Sequence, residues 1–453
     1  MYRWALRDPE EIGLRAFIKE TRTAIDMHDT IIIPNEYKAI TQVVRTPFLR
    51  DTKERVAAAL VKEPPVYEVE PRDHTMETRS AAAIAGKWTQ AMLESMQKAN
   101  PRQDFIHQSA LNLVADSESV IKIVHRGDAW ANFPKRGEYR ENESARAYNT
   151  RASDYRRGGV RDPFAARVVD RLQMVFGEGE YGDDWAIEYG RYPAPYLSSR
   201  YPGLGLEIAP VTQLGGIPVP ESSGTAPGGA LKLECFTSDQ WAVVVNGRMA
   251  AGYPKLNPYA PYLPYQRAVA LPTLYALKSL VAALNALLTM KMNWAYLTAY
   301  PIPVFEALAS AGQMLGALPV PDSGEPPAGG GVWKWKPGKE HFIPEGWTMR
   351  FLEPPATGRD LDQMITDIRE LIDIAGVPSV LRGIGGARQP GYAINQLMAA
   401  AQLTYKSLGR ALSRQQEMGA EFLYRCVQQT IHDEVYVLGT DADSRKWIGL
   451  KPT

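Results

Sequence analysis

The sequence predicts a mixed α+β fold, predominantly helical. Three observations predict it. Two stretches, 271–298 and 358–375, carry apolar residues at helical spacing and bracket an insertion rich in Pro and Gly. Shorter runs, such as 119–124, are rich in Val and Ile and read as strands. The composition is globular: 453 residues, 45% hydrophobic and 23% charged, with room for two or more domains.

The same numbers bound function. Net charge is zero, which excludes a whole-molecule basic footprint for nucleic acid, so any DNA contact is expected to be local. Cys235 and Cys426 lie far apart in the chain, so no disulfide framework is expected and a reducing compartment fits. The first ten residues hold no apolar signal core. The most apolar stretch, 271–297, is interrupted by Lys278, Asn285, Lys291 and Asn293, so no membrane span is expected.

In chain order, 9–30 reads as a helix ended near Pro34. Residues 36–62 read as two helices meeting at Thr46-Pro47, and Pro64-Pro65 stops them. Helices are expected at 76–99, with Trp88 and Leu93 inside, and at 102–115; a strand follows at 119–124. Residues 126–167 are rich in Arg, Glu, Tyr and Gly without apolar periodicity, and read as a surface excursion. Strands are expected at 168–176 and 184–191, a Gly/Pro/Ser loop at 202–230, and a hairpin at 241–249 turning on Asn246-Gly247. Residues 253–265, rich in Tyr and Pro, read as an extended connector.

In the helix 271–298, Leu274, Leu277, Leu280, Val281, Leu284, Leu287 and Leu288 share one face; Lys278, Ala282, Asn285, Ala286 and Thr289 occupy the other. Residues 299–356 read as a small α/β subdomain at the tip of a helical pair, strand-like at 332–336 and 344–352. In 358–375, Leu361, Met364, Ile365, Ile368, Leu371 and Ile372 face one way, and Asp362, Thr366, Glu370 and Asp373 the other. The glycines and prolines of 376–391 break the helix, which resumes at Tyr392 and runs unbroken to His432. A helix of that length would be on the order of 60 Å long. Pattern alone would also fit a helical hairpin with a long surface loop.

No catalytic or cofactor signature emerges. A Walker A motif is absent, and Gly383-Ile384-Gly385-Gly386 has Arg388 where a dinucleotide fingerprint needs its third glycine. Neither His-Glu-x-x-His nor Gly-x-Ser-x-Gly occurs, and the six histidines are scattered. The expectation is a protein without catalytic residues, metal or cofactor, and not an enzyme.

The order of parts resembles the portal proteins of tailed bacteriophages and prophages. Residues 44–67 resemble an early wing helix ending in a proline pair, and 115–124 the wing strand that follows. Residues 271–298, 299–356 and 358–375 resemble a stem helix, a clip and a second stem helix. Residues 377–383 and 389–397 resemble a tunnel loop running into a long wing helix. The arginine-rich excursion has no counterpart in that pattern.

The resemblance implies a wing over 1–265, a stem helix over 266–298, a clip over 299–356 and a second stem helix over 357–375. It further implies a tunnel loop over 376–391, a long wing helix over 392–432 and a short helical crown or tail over 433–453. It implies a homo-oligomeric ring, usually a dodecamer, at one capsid vertex of the virion, assembled in the host cytoplasm. Double-stranded DNA would pass through it during packaging and ejection. Its partners would be the terminase large subunit, the major capsid protein and head–tail adaptor or neck proteins, with no membrane. On that reading Asp362, Thr366, Glu370 and Asp373 line the channel, and Arg382, Gly383, Gly385, Gly386, Arg388 and Gln389 form its constriction. Ala282, Ala283, Leu284 and Ala286 pack against a neighbouring subunit, and Trp333, Trp335 and Trp347 are docking residues of the clip. Two other expectations compete: a ring enzyme acting on nucleic acid, and another structural component of capsid or neck.

Overall fold

The computed structural model describes residues 8–27, 43–61, 66–71, 73, 75–99, 104–125, 147, 150, 164–179, 182–202, 213–214, 217–218, 229–272, 274–299, 303–307, 347–351, 358–375, 405–430, 435–441 and 444–450. Among these the fold is mixed α+β with antiparallel sheets, and helical residues outnumber strand residues. Two units divide the chain: Met1–Asp26, Leu49–Tyr275 and Val377–Thr453 form the first, and Met27–Phe48 and Ala276–Gly376 the second.

The first unit starts with α1, Pro9–Ile25. The Asp8 carboxylate accepts from the Glu10 amide at 3.1 Å and Pro9 opens the first turn, two standard helix-start devices. Helices α2 (Phe48–Leu60), α3 (Met76–Ala99) and α4 (Phe105–Asp116) follow. Asp104 caps α4 by accepting from the Ile106 and His107 amides, and Ser117, at φ 64°, ends it. A three-stranded sheet has β1 (Glu118–His125) at its centre, between β2 (Phe164–Val169) and β11 (Tyr265–Val269). A second sheet contains β3 (Met174–Gly179), β4 (Gly182–Pro193), β7 (Gly229–Thr237) and β8 (Gln240–Val245), edged by the two-residue strands β9 (Arg248–Met249) and β10 (Lys255–Leu256). The short helix α5 (Ala194–Arg200) follows β4, and β5 (Gln213–Leu214) pairs with β6 (Ile217–Pro218). Asn246 and Gly247 turn β8 into β9 with φ of 48° and 80°, the pair of left-handed residues a two-residue hairpin turn needs.

The core joins layers. Trp88 and Met92 of α3, Phe105 of α4, Ile121 and Ile123 of β1 and Phe164 of β2 pack together with Phe422, Leu423 and Val427 of α8 (Lys406–Thr430). Gly419 lets α8 come close to the sheet, since a Cβ there would lie 3.3 Å from Ile123 Cδ1. A polar knot crosses the same layer. Ser109 donates to Gln415 Oε1 at 2.6 Å, and Gln415 Nε2 donates to the Ser119 and Gln266 carbonyls at 2.9 and 2.8 Å. Each polar end of Gln415 is satisfied, so the knot fixes helix against sheet instead of weakening the core.

The opposite face of the three-stranded sheet meets the second sheet through buried charge. Lys122 of β1 reaches Glu188 of β4 at 2.8 Å and Glu234 of β7 at 3.2 Å. Arg167 of β2 and the Tyr265 hydroxyl of β11 also bond Glu188. At the β3 edge, Arg15 of α1 donates to the Leu172 and Met174 carbonyls, and Arg171 to Met174 and Glu118. Those guanidinium groups occupy acceptors that a bare sheet edge would offer to another chain.

The second unit holds α6 (Tyr275–Ala299), the strands β12 (Pro303–Ala307) and β13 (Trp347–Phe351), and α7 (Gly358–Ala375). The two strands pair antiparallel, from Pro303 opposite Phe351 to Ala307 opposite Trp347.

Several expectations are corrected. The helix expected from 266 begins at Tyr275, because 265–269 instead pairs with β1 and Pro272 follows. Residues 164–167 of the supposed excursion belong to β2. The single strand expected over 168–176 is broken at Arg171–Gln173, where the Asp170 carboxylate accepts from the Leu172 amide and starts a turn. Residues 43–47 are not helical, and the loop expected to 230 ends where β7 starts at Gly229. The short helical crown over 433–453 is instead a hairpin of β14 (Val435–Asp441) with β15 (Ser444–Leu450). Val435, Tyr436 and Val437 favour a strand, and Asp441 lies opposite Ser444 at the turn. Of the long helix over 392–432, Lys406–Thr430 is described; 392–404 lies outside the described residues. Among the described residues no helix is long and apolar enough to cross a membrane.

The buried charges make stability depend on acid pH. Burial by itself would raise the Glu188 carboxyl, but the charges of Lys122 and Arg167 and their hydrogen bonds hold it down at about 2. A depressed carboxyl contributes its stability above the unfolded value and loses it as pH falls through the folded value. Glu188→Gln should therefore cost about 3 kcal/mol at neutral pH. The gap between wild type and variant should hold down to the ordinary value of 4.5 and close as pH falls toward about 2. Urea melts of both proteins across that range check it; a gap independent of pH would contradict the ion-pair account.

Candidate functional site

Of the residues singled out from the sequence, Ala282, Ala283, Leu284 and Ala286 lie on α6 and Asp362, Thr366, Glu370 and Asp373 on α7. Helix α7 is amphipathic: Ile365 and Ile372 are buried, while Asp360, Asp362, Thr366, Asp367, Arg369 and Glu370 are exposed. Over its length five carboxylates stand against Arg359 and Arg369. Asp362, Thr366 and Glu370 recur at four-residue spacing and share one face. The Thr366 hydroxyl donates back to the Asp362 carbonyl at 2.8 Å, so it is engaged by its own helix. Asp373 lies on α7 three residues after Glu370, but its side chain lies outside the described residues.

Asp362 does not stand alone. Lys291 of α6 pairs with it, tying the two helices at a half-exposed position. Such a pair contributes at most about 1 kcal/mol in water. Its larger effect is to cancel one carboxylate of the polar face, leaving Glu370, Asp367 and Asp360 as the exposed negative charges.

On α6 the pattern is partly reversed from expectation. Asn285 and Thr289, placed on the polar face, are buried. Asn285 Oδ1 accepts from the Thr46 amide at 3.0 Å and its hydroxyl at 2.8 Å, and Thr289 Oγ1 accepts from the Val44 amide at 3.0 Å. One turn of helix thus presents two acceptors that hold the extended segment 43–47. Leu284, expected at a subunit contact, is fully buried within the chain, so it is core and not surface. Ala282 and Ala283 are exposed and Ala286 is half-buried. Besides Tyr275 at the start of α6, the large exposed apolar side chains of the pair are Met290, Met292, Tyr296, Met364 and Leu371, between 48% and 57% exposed. Met292 and Tyr296 lie four residues apart on α6, and Met364 and Leu371 seven apart on α7, so each pair shares one side of its helix.

Trp347 opens β13, opposite Ala307. Trp333 and Trp335 lie outside the described residues, as do Arg382, Gly383, Gly385, Gly386, Arg388 and Gln389. No protein-family model and no curated protein matches the chain.

Elsewhere, the first unit has an open cleft of about 360 Å³ lined by Asp183, Tyr262, Gln266, Met418, Glu421 and Phe422 among others. Two of its acids are engaged: Arg267 holds Asp183 at 3.1 Å, and Arg425 reaches Glu421 at 3.3 Å; Asp184 lines it as well. No group of three or more His, Cys, Asp or Glu poised for a metal occurs among the described residues. Burial raises both thiols, Cys235 to about 11 and Cys426 to about 12, which leaves them protonated at neutral pH.

Sequence reading missed Asn285 and Thr289. The available signal was a polar pair at i and i+4 inside a leucine-rich helix, where a second chain segment could dock. Asn285→Ala should leave the Thr46 amide without its acceptor and cost about 1–2 kcal/mol. Hydrogen exchange at Val44 and Thr46 should accelerate together; unchanged exchange would mean that segment 43–47 is held by something else.

Proposed function

We propose that this chain is the subunit of a ring-shaped portal in the head of a tailed bacteriophage or prophage. The observation that carries the reading is the helix–ribbon–helix of the second unit. Helix α6 leads into β12, β13 leads into α7, and the two strands pair so that the insertion 308–346 leaves and returns at one place. The helices that bracket it keep Met290, Met292, Tyr296, Met364 and Leu371 in water. A single chain gains nothing by exposing them; a ring of copies covers them. On this reading the contact runs through those side chains together with Ala282 and Ala283, and Leu284 supports it from within.

The remaining roles follow the same reading. Duplex DNA passes along the axis, and the exposed carboxylates of α7 would repeat around it, keeping phosphate from adhering. Arg382 and Arg388 touch phosphate transiently without reading sequence. The segment 299–356, bearing Trp333, Trp335 and Trp347, docks the terminase large subunit and, later, neck proteins, aromatic side chains being common anchors of such contacts. The wing meets the major capsid protein. The ring is most simply a dodecamer, and the subunit performs no chemistry of its own.

Mass photometry tests the assembly step. The wild-type chain should form one large multimer at micromolar concentration. Met290→Glu with Met364→Glu places two charges in the contact and should shift assembly to at least about tenfold higher concentration. Both positions are exposed, so the monomer should still fold. A wild-type chain that stays monomeric, or a double variant that assembles normally, would contradict the reading.

A further inference from the structure

One end of the second sheet in the first unit carries an excess of positive charge among the described residues. Two described stretches build it: 190–202 and 229–256. They hold Arg191, Arg200, Lys232, Arg248 and Lys255 against the carboxylates Glu234 and Asp239. In a chain of zero net charge that segregation is local. Strand register puts Lys232, Arg248 and Lys255 on one side, while Arg191, opposite Leu231, lies on the other. Lys255 lies opposite Trp241, and Arg248 opposite Val245, which itself lies opposite Lys232. Arg200 precedes Tyr201, whose ring meets Tyr253 edge-on at 6.2 Å. Arg200, Arg248 and Lys255 are exposed.

Tyrosines fill the space between these cations. Tyr192 and Tyr196 stack at 6.0 Å, and Tyr253 stands edge-on to Trp241 at 5.1 Å. Lys232 lies 5.8 Å from the Tyr192 and Tyr201 rings, and Lys255 lies 5.0 Å over Tyr253. The carboxylate that balances Lys232 is Glu234, at 2.8 Å, and it is shared with Lys122 in the interior.

We infer that this end of the sheet docks an acidic segment of a partner protein. The charge demands an anionic partner, and the ring geometry chooses between carboxylates and nucleic-acid bases. Base stacking needs open ring faces. Here Tyr253 is covered by Lys255 and flanked by two rings, Tyr192 is stacked, and Tyr201 is buried; Tyr196, 50% exposed, is the one exposed ring of the four. Cations held on ring faces are pre-positioned point charges, suited to several carboxylates spaced along a chain. The inference stands on the first unit and does not require the ring.

Fluorescence anisotropy with labelled poly-glutamate as the probe, and oligo-dT as the rival probe, tests it on the full chain. Poly-glutamate should bind the wild type, more weakly as salt rises. Arg200→Glu with Lys255→Glu should weaken it about tenfold or more. Arg200→Gln with Lys255→Gln should give a smaller loss with the same melting temperature, which separates lost charge from lost fold. Arg414→Glu, at an exposed position on α8, should leave binding unchanged. Absent poly-glutamate binding, equal loss in Arg414→Glu, or tighter binding of oligo-dT through the same residues would overturn the inference.

Discussion

The link between Lys122 and Glu188 sits where the two sheets of the first unit face each other, and the packing around it depends on its being complete. Both side chains are 5% exposed, deep enough that either charge alone would be costly. Glu234, Arg167 and Tyr265 complete the cluster, and the rings of Phe236 and Tyr265 lie 5.6 and 5.0 Å from the ammonium. Oil-like packing alone would let two sheets slide over one another. A charge cluster with defined partners on β1, β2, β4, β7 and β11 admits one register. Arg171 and Arg267 repeat the device nearby, both gripping Glu118, and Arg22 does so at the helix layer by bridging Asp116 and Asp170.

Elements whose order comes from their own periodicity were legible in the sequence. The helix 76–99 matches α3 residue for residue, and 358–375 matches α7, because each carries an uninterrupted apolar face. The Asn246-Gly247 turn was legible for a local reason, since its backbone geometry suits few other residues. Elements set by distant partners were not. Residues 265–269 form a strand because β1 lies beside them, and nothing within five residues announces that. Gln415 interrupts an apolar helix row and looks like a weak point until Ser109, Ser119 and Gln266 come round it. Lys122, Glu188 and Glu234 stand singly among the apolar residues of their strands, yet Lys122 supplies the counter-charge of both carboxylates in the interior.

The faces of α6 and α7 were legible in outline and wrong in detail for the same reason. Helical spacing correctly set Asp362, Thr366 and Glu370 on one exposed face. It could not reveal that Lys291 neutralises Asp362, or that Asn285 and Thr289 turn inward to bind a strand-like segment more than two hundred residues earlier. Leu284 shows the cost of reading a helix without its surroundings: the most apolar stripe is the buried one, and the exposed apolar side chains include Met290, Met364 and Leu371.

The account of function rests on one structural consequence: copies of this chain must close into a ring that covers the exposed side chains of α6 and α7. Electron microscopy of the purified full chain, with two-dimensional class averages, tests that most directly. The account predicts closed rings of a single dominant symmetry around an axial hole wide enough for duplex DNA. Monomers, open filaments or particles without a hole would contradict it.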